Sequence, residues 1–373
     1  MPLPTILTTT EQIAEFSAEL EKYPVIAVDL EADSMHNYQE KVCLLQFSTP
    51  DQTLLIDPLA GADLTVLKPV LADPQVRKIF HAADYDIRCL ARDFNIEING
   101  LFDTMISSQF LGEERFGLAD VLRKYFAVEL DKQYQRADWS RRPLSEGMIR
   151  YAAADTTHLH RLVEIFEQKL VEKGRLDWVQ EEFSLLEKVR FTLHEGPFFL
   201  RFKGAGTLDR RQLAVLEKLL QWRDSEARRR DCPLYKVLGN KSLLHLARLQ
   251  PTGWEVLQEV EGLSPRLIER YGGQLLQAVS EALGLPETDL PVYPRGERRT
   301  KDPQVEKRML RLKDWRKKMA VKLELDPGVL INNALLDELA RKQPRSEQEL
   351  AGIGLLKNWQ RNILGEGILR TLN

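Results

Sequence analysis

The sequence predicts an α/β domain built on a mixed sheet, followed by two small all-α helical bundles, and three observations carry that reading. Short apolar runs in the first part of the chain are joined by short loops and then by alternating helical stretches. The second half repeats itself at an offset of 93 residues, with helical periodicity in both copies. A charged, proline-rich stretch from Leu285 to Pro303 separates the copies as a linker would.

Taken in order, the first strand is expected near 24–30, where Val25, Ile26, Ala27 and Val28 form an apolar run ahead of Asp29 and Glu31. A spacing of two on a strand points both carboxylates to one face. Further strands are expected near 42–49, 53–57 and 77–81, with a helix near 64–72 between the last two. After the strand ending at His81, a helix near 84–94 opens with Asp84 and Asp86, one of which reads as a cap or first-turn acid. Helices follow near 103–111, 117–126 and 144–172. In the last, a spacing of four stacks the Tyr151 hydroxyl over the Asp155 carboxylate. In the repeats, Leu213, Leu216, Leu219 and Leu220 mark one helix and Val305, Met309, Leu312 and Trp315 its counterpart. Trp222-Arg223 recurs as Trp315-Arg316, Asn240 as Asn333 and Gly272 as Gly365. Both tryptophans read as helix core. The expected division is residues 1–205, a first bundle at 206–286, a linker at 287–302 and a second bundle at 303–373.

A chain of 373 residues with 43% hydrophobic content can bury two or three cores. The first twenty residues carry Glu11, Glu15 and Glu19 without a basic or apolar region, which does not read as a signal peptide. No run approaches a membrane span, and Cys43, Cys89 and Cys232 form no spaced framework, so reduced thiols and a cytoplasmic location are expected. The net charge of -3 hides a division, with residues 1–207 at net -10 and residues 208–373 at net +7. An acidic part that needs cations, followed by a basic part that can hold a polyanion, suits a protein acting on nucleic acid.

Acids at the end of an apolar strand need a cationic partner, hydrogen bonds or a hard cation. Within eight residues of Asp29 the only Lys or Arg is Lys22, so a divalent metal site competes with a structural ion pair or a cap. Zinc would want His or Cys clusters, and the six His and three Cys are scattered. All-oxygen ligation suits Mg²⁺ or Mn²⁺. A phenol with an ordinary pKa near 10 is a poor base at neutral pH, so Tyr151 is suited to orienting a water, and its bland alternative is a core aromatic. The only string resembling a phosphate loop, GNKS at Gly239 to Ser242, lacks the motif's glycine and lysine placement, which removes a helicase reading.

The order Asp-x-Glu, a central Asp, and Tyr-x-x-x-Asp resembles the DEDD exonucleases of the tyrosine subclass. CLLQFST at Cys43 to Thr49, LIDPL at Leu55 to Leu59, HAADYD at His81 to Asp86, FDT at Phe102 to Thr104 and DWSRRPL at Asp138 to Leu144 are similar to bacterial ribonuclease D, covering about Val25 to Leu170. The resemblance implies a ribonuclease-H-like fold, with Asp29, Glu31, Asp86 and Asp155 as ligands of two divalent ions and Tyr151 beside the attacking water. It selects Asp86 over Asp84, because Asp86 precedes Ile87 and lies four residues before Leu90. Asp103 matches a recurrent family acid and also reads as the cap of the helix beginning at Thr104. Both helical copies resemble the HRDC domain, the second less closely, since LAGIGLLKNWQ lacks the spacing of VEGLSPRLIERYGG.

The expected activity is metal-dependent 3′-to-5′ hydrolysis of RNA ends, releasing 5′-mononucleotides, on structured RNAs such as tRNA precursors, by a monomer. A single-strand DNA 3′-to-5′ exonuclease is the nearest alternative, because hydrolysis by water needs no 2′-hydroxyl. An RNA-binding scaffold without catalysis is the other, and intact acids at all four positions argue against it.

Overall fold

The computed structural model describes residues 3–192, 195–294 and 302–373. In chain order the first part runs β1 (Thr5–Leu7), α1 (Thr10–Leu20), β2 (Val25–Ala32), β3 (Val42–Ser48), β4 (Thr53–Ile56), α2 (Lys68–Ala72), β5 (Arg77–Phe80), α3 (Asp84–Phe94), β6 (Leu101–Asp103) and α4 (Thr104–Leu111). Then come α5 (Leu118–Phe126), α6 (Glu146–Thr157), α7 (Leu159–Glu172) and α8 (Leu176–Leu186). The strands form one sheet in the order β1-β4-β3-β2-β5-β6. Strand β3 is antiparallel to β2 and β4, while β1–β4, β2–β5 and β5–β6 pair in parallel. The sheet is therefore mixed, as expected, and every residue of β3 is buried.

Three features differ from the sequence expectation. The strands β1 and β6 were not expected; each is three residues long and too short to show a period. Helices α1, with its Thr9–Gln12 capping box, and α8 were not expected either. The single helix expected at 144–172 is two, broken at His158. Ser48 of β3 holds both halves, its hydroxyl 2.7 Å from Thr156 Oγ1 in α6 and its carbonyl 2.8 Å from His160 Nε2 in α7.

The second part runs α9 (Arg210–Arg229), α10 (Leu234–Val237), α11 (Asn240–Leu249), α12 (Trp254–Leu257) and α13 (Pro265–Leu283). It is followed by α14 (Pro303–Leu323), α15 (Pro327–Leu330), α16 (Asn333–Lys342), α17 (Glu347–Ala351) and α18 (Asn358–Leu372). Each helix of the first set begins 93 residues before its counterpart. The repeated Arg and Asn explain one another. Arg223 donates to Leu238 O (3.0 Å) and Asn240 Oδ1 (2.7 Å), and Arg316 donates to Ile331 O (2.6 Å) and Asn333 Oδ1 (3.2 Å). Each arginine thus ties the long first helix of its bundle to the start of the third. The repeated tryptophans are packed: Trp222 lies edge-on to Tyr271 at 5.3 Å, and Trp315 fills the space a side chain at Gly367 would need.

The chain packs as two compact units, one of Met1–Ala32, Val42–Phe191 and Thr300–Asn373, the other of Asp33–Lys41 and Thr192–Arg299. In the first unit the second bundle shares a continuous core with the sheet and its helices. Trp359 of α18 stacks on Trp178 of α8 at 5.1 Å and meets Phe110 of α4 edge-on at 5.3 Å. Glu181 caps the start of α18, accepting from the backbone N–H of Asn358 and Trp359 at 2.8 Å each. Glu182 accepts from Lys357 Nζ and from Trp359 Nε1. Buried Arg175 donates to the carbonyls of Phe110 and Leu323, completing the contact.

The second unit has its own core, formed by residues such as Leu213, Leu216, Leu219, Leu246, Leu275 and Val279. It also includes the segment between β2 and β3. There the Tyr38 hydroxyl donates to Asp224 (2.7 Å), the Tyr38 backbone N–H donates to Asp231 (3.1 Å), and the Arg228 guanidinium lies over the Tyr38 ring. Of the linker expected at 287–302, residues 295–301 lie outside the described residues. Just before them Tyr293 packs against Phe199 and Gly206 of the same unit.

Candidate active site

Strand β2 brings Asp29 and Glu31 to one face of the sheet, opposite Gln46 and Leu44 of β3 in the antiparallel register. Helix α6, started by Ser145 accepting from Met148 N, lies on that face and carries Tyr151 and Asp155. One carboxylate oxygen from each of Asp29, Glu31 and Asp155 lies within 4.8 Å of the other two. The two motifs, more than 120 residues apart in the chain, thus meet over the sheet.

Helix α3 supplies the next acid. Asp86 is buried, and its carboxyl is pushed well up by that burial and by the charge of Asp29. It also acts electrostatically on Glu31, although it stands outside the triangle of closest oxygens. Asp84, two residues earlier and about half a turn round the helix, faces outward and pairs with Arg88 at 2.9 and 3.1 Å. The structure thus separates the two acids, one buried toward the cluster and one at the surface.

Burial and crowding raise the other carboxyls too. Asp29 is pushed up chiefly by burial, against the opposing hydrogen bond from Leu30 N–H, and Asp155 by burial and then by Asp29. Glu31 is pushed up to about 10 by burial and by Asp29, Asp155 and Asp86 together. Among the described residues, no Lys or Arg hydrogen-bonds or ion-pairs with any of the four. Oxygen-only donors, drawn together without a cationic side chain, fit a hard divalent cation and fit no structural ion pair.

Tyr151 borders this cluster, and burial, then Asp155, Glu31 and Asp29, hold its hydroxyl protonated far above neutral pH. Its ring is flanked by Tyr134 at 6.1 Å and Trp139 at 6.0 Å. Both belong to the stretch between α5 and α6, which has no helix or strand of its own. Arg142 fastens that stretch to the sheet, gripping Asp57 with two bonds of 2.6 Å and donating to Cys43 O at 2.7 Å. Sequence reasoning missed this support. DWSRRPL was visible as a motif, but its partner Asp57 lies 85 residues away.

Asp103 does more than the cap expected of it. Its carboxylate accepts from Met105 and Ile106 N–H at the start of α4, and also from Ala82 and Ala83 N–H. Ala82 has a positive φ of 71°, a strained conformation for a residue with a side chain. Asp103 therefore holds the turn that launches the helix bearing Asp86. No local pattern signals this second duty.

The family model for the 3′-5′ exonuclease domain matches residues 4–171, and that for the HRDC domain matches 212–279 and 305–372. The ribonuclease D of Granulibacter bethesdensis is 32% identical over 100% of this chain and 93% of its own. Among solved structures, the fold is similar to that of Escherichia coli RNase D, an exoribonuclease involved in structured RNA processing. That match has a TM-score of 0.77 and 27% identity, over 100% of this chain and 99% of that one. The catalytic core of RRP6 from Trypanosoma brucei matches with a TM-score of 0.65 and 32% identity, over 75% of this chain and 79% of that core.

Proposed function

The chain belongs to the ribonuclease D family, and from that premise we propose how this divalent-metal-dependent 3′-to-5′ exoribonuclease holds its metal, its water and its RNA. Asp29, Glu31, Asp86 and Asp155 are the ligands, and two ions, Mg²⁺ or Mn²⁺, are the occupants that four carboxylates would neutralise. The convergence of Asp29, Glu31 and Asp155 oxygens within 4.8 Å carries this reading. When bound, the metal supplies an acidified water and stabilises the charge that builds on the phosphate oxygens.

The chain's own residues do the rest. Tyr151, kept neutral by its acidic neighbours, holds the attacking water through its hydroxyl and does not act as the base. Tyr134 and Trp139 keep its ring in place, and the Arg142–Asp57 pair keeps those aromatics in place. Asp103 fixes the turn before Asp86. These supports restrict the reacting groups before substrate arrives, which is where positioning lowers a barrier.

The substrate class is RNA with a free 3′ end attached to a folded body, of which tRNA precursors are the leading candidate. Helix α14 carries eight Lys or Arg against two acids, a concentration suited to phosphate contacts. No helix among the described residues is long and apolar enough to cross a membrane, and we read the protein as a cytoplasmic monomer. A 5′-labelled RNA and a matched DNA, each incubated with the protein and Mg²⁺ or Mn²⁺, test the reading. RNA should shorten stepwise from its 3′ end, with 5′-mononucleotides released and DNA persisting. Equal loss of DNA would favour the DNA exonuclease, and binding without shortening would favour a scaffold.

A further inference from the structure

Strand β3 contains a polar side chain that the protein leaves without a partner. Gln46 is fully buried, and neither its Oε1 nor its Nε2 has a hydrogen bond within the protein. Buried amides are nearly always paired, so each orphan needs an explanation. Among the described residues, the other buried side-chain atoms in this state are single ring or guanidinium nitrogens. Gln46 differs in that its whole amide is unpaired.

Its position supplies the explanation. Gln46 lies directly opposite Asp29 in the β2–β3 register and opposite Leu55 in the β3–β4 register. Residues opposite one another in an antiparallel pair share a face and stand about 5 Å apart at Cβ. Alternation puts Leu44 and Ser48 on that face with it, and Ser48 bonds Thr156 of α6, so this is the face that α6 covers with Tyr151 and Asp155. Leu44, Leu55 and Ala152 supply an apolar setting on the same side. A leucine or methionine would satisfy that setting at no polar cost, whereas the amide leaves one acceptor and two donor hydrogens unused beside a metal-ligand cluster.

We propose that Gln46 is a positioning residue of the metal centre, whose amide finds its hydrogen-bond partners only when a divalent ion and its bound water occupy the site with Asp29. The inference rests on the reading of the acids as metal ligands. Outer hydrogen bonds of this kind orient the ligands and their waters, and losing one typically weakens metal affinity about 10- to 100-fold. In the metal-free protein, by contrast, removing an unsatisfied buried amide is neutral or favourable.

These opposite signs make the test. Gln46→Leu and Gln46→Met in the full chain are compared with the parent by metal-free thermal unfolding and by Mn²⁺ titration calorimetry. The expected result is a metal-free Tm equal to or above the parent's, with the Mn²⁺ Kd raised about 10-fold or more. A Kd within twofold of the parent's in both variants overturns the proposal. So does a clear fall in metal-free Tm in both, since the amide would then have partners without metal. If the parent itself binds no Mn²⁺, the assignment of the acids as ligands fails first, and that outcome is distinct from either.

Discussion

Replacing Trp359 with alanine should destabilise the exonuclease fold, although the residue lies in the last helix, far from every catalytic motif. Trp359 is 3% exposed and packs against both Trp178 and Phe110, which are themselves 9% and 3% exposed. Truncating a buried Trp to Ala typically costs about 3–5 kcal/mol. For a unit of this size each kcal/mol lowers Tm by about 2–4 °C, so a fall of about 6–20 °C is expected. Deleting residues 300–373 would do more, since Arg175 would also lose the Leu323 carbonyl, and Glu181 and Glu182 would lose the backbone and side-chain donors they now hold. With native stabilities of about 5–15 kcal/mol, that deletion threatens folding itself. The assay is calorimetric unfolding of full-length parent and W359A, with activity on a short single-stranded RNA measured well below the transition. The transition should fall while kcat on the short strand stays near the parent's. An unchanged Tm would refute the argument that the second bundle completes the catalytic unit's core.

Asp29→Asn or Asp155→Asn should abolish hydrolysis while RNA binding persists, and residual activity above about a tenth of the parent's would contradict their role as ligands. Tyr151→Phe removes only the hydroxyl and should lower kcat about 10²-fold with little change in Tm; an unchanged kcat with a lowered Tm would make Tyr151 a core aromatic. The clustered acids have folded-state pKa values above their unfolded ones, Glu31 reaching about 10. Their protons favour the folded metal-free protein at low pH, and that contribution fades as pH climbs through the raised values. Metal must displace the same protons, so the rise in Tm produced by Mg²⁺ over EDTA should be larger at pH 8.5 than at pH 6; the reverse order would contradict the assignment. Lys313→Glu with Lys317→Glu on exposed positions of α14 should raise KM for a folded RNA and flatten its salt dependence, leaving a short single strand unaffected; an unchanged salt slope would remove α14 from the RNA contact.

The acids of the site were legible because strand and helix periods tie local spacing to direction. Asp29 and Glu31 at a spacing of two, and Tyr151 and Asp155 at four, needed only the element type to be placed on one face. What supports them was not legible, because each support is a pairing between distant residues. Arg142 reaches Asp57 across 85 positions, and Asp103 reaches Ala83 across 20. The break at His158 was invisible for a different reason. No Gly or Pro marks it, and the apolar spacing continues into α7, so only the double anchoring at Ser48 distinguishes two helices from one.

The repeat shows how one pattern can serve two duties. The two bundles share helix starts and the Arg–Asn tie, yet the charges on their long first helices are used differently. In α9, Arg210 and Arg211 donate to carbonyls at the end of the same bundle, and Arg228 and Arg229 pair with Asp224 and Glu226. In α14, Lys307, Lys313, Lys317 and Lys322 are exposed and have no acidic partner among the described residues. Lys313 and Lys317 stand one turn apart, as do Lys307 with Arg311 and Lys318 with Lys322, and like charges at that spacing weaken a helix. Lys318 is already paired with Asp314 and Arg311 donates to Thr371 O, so an anion would neutralise chiefly Lys307, Lys313, Lys317 and Lys322. Arg308, Arg311 and Arg316 of α14 also donate to carbonyls of their own bundle, so it is the exposed lysines that set α14 apart and that we assign to phosphate contacts.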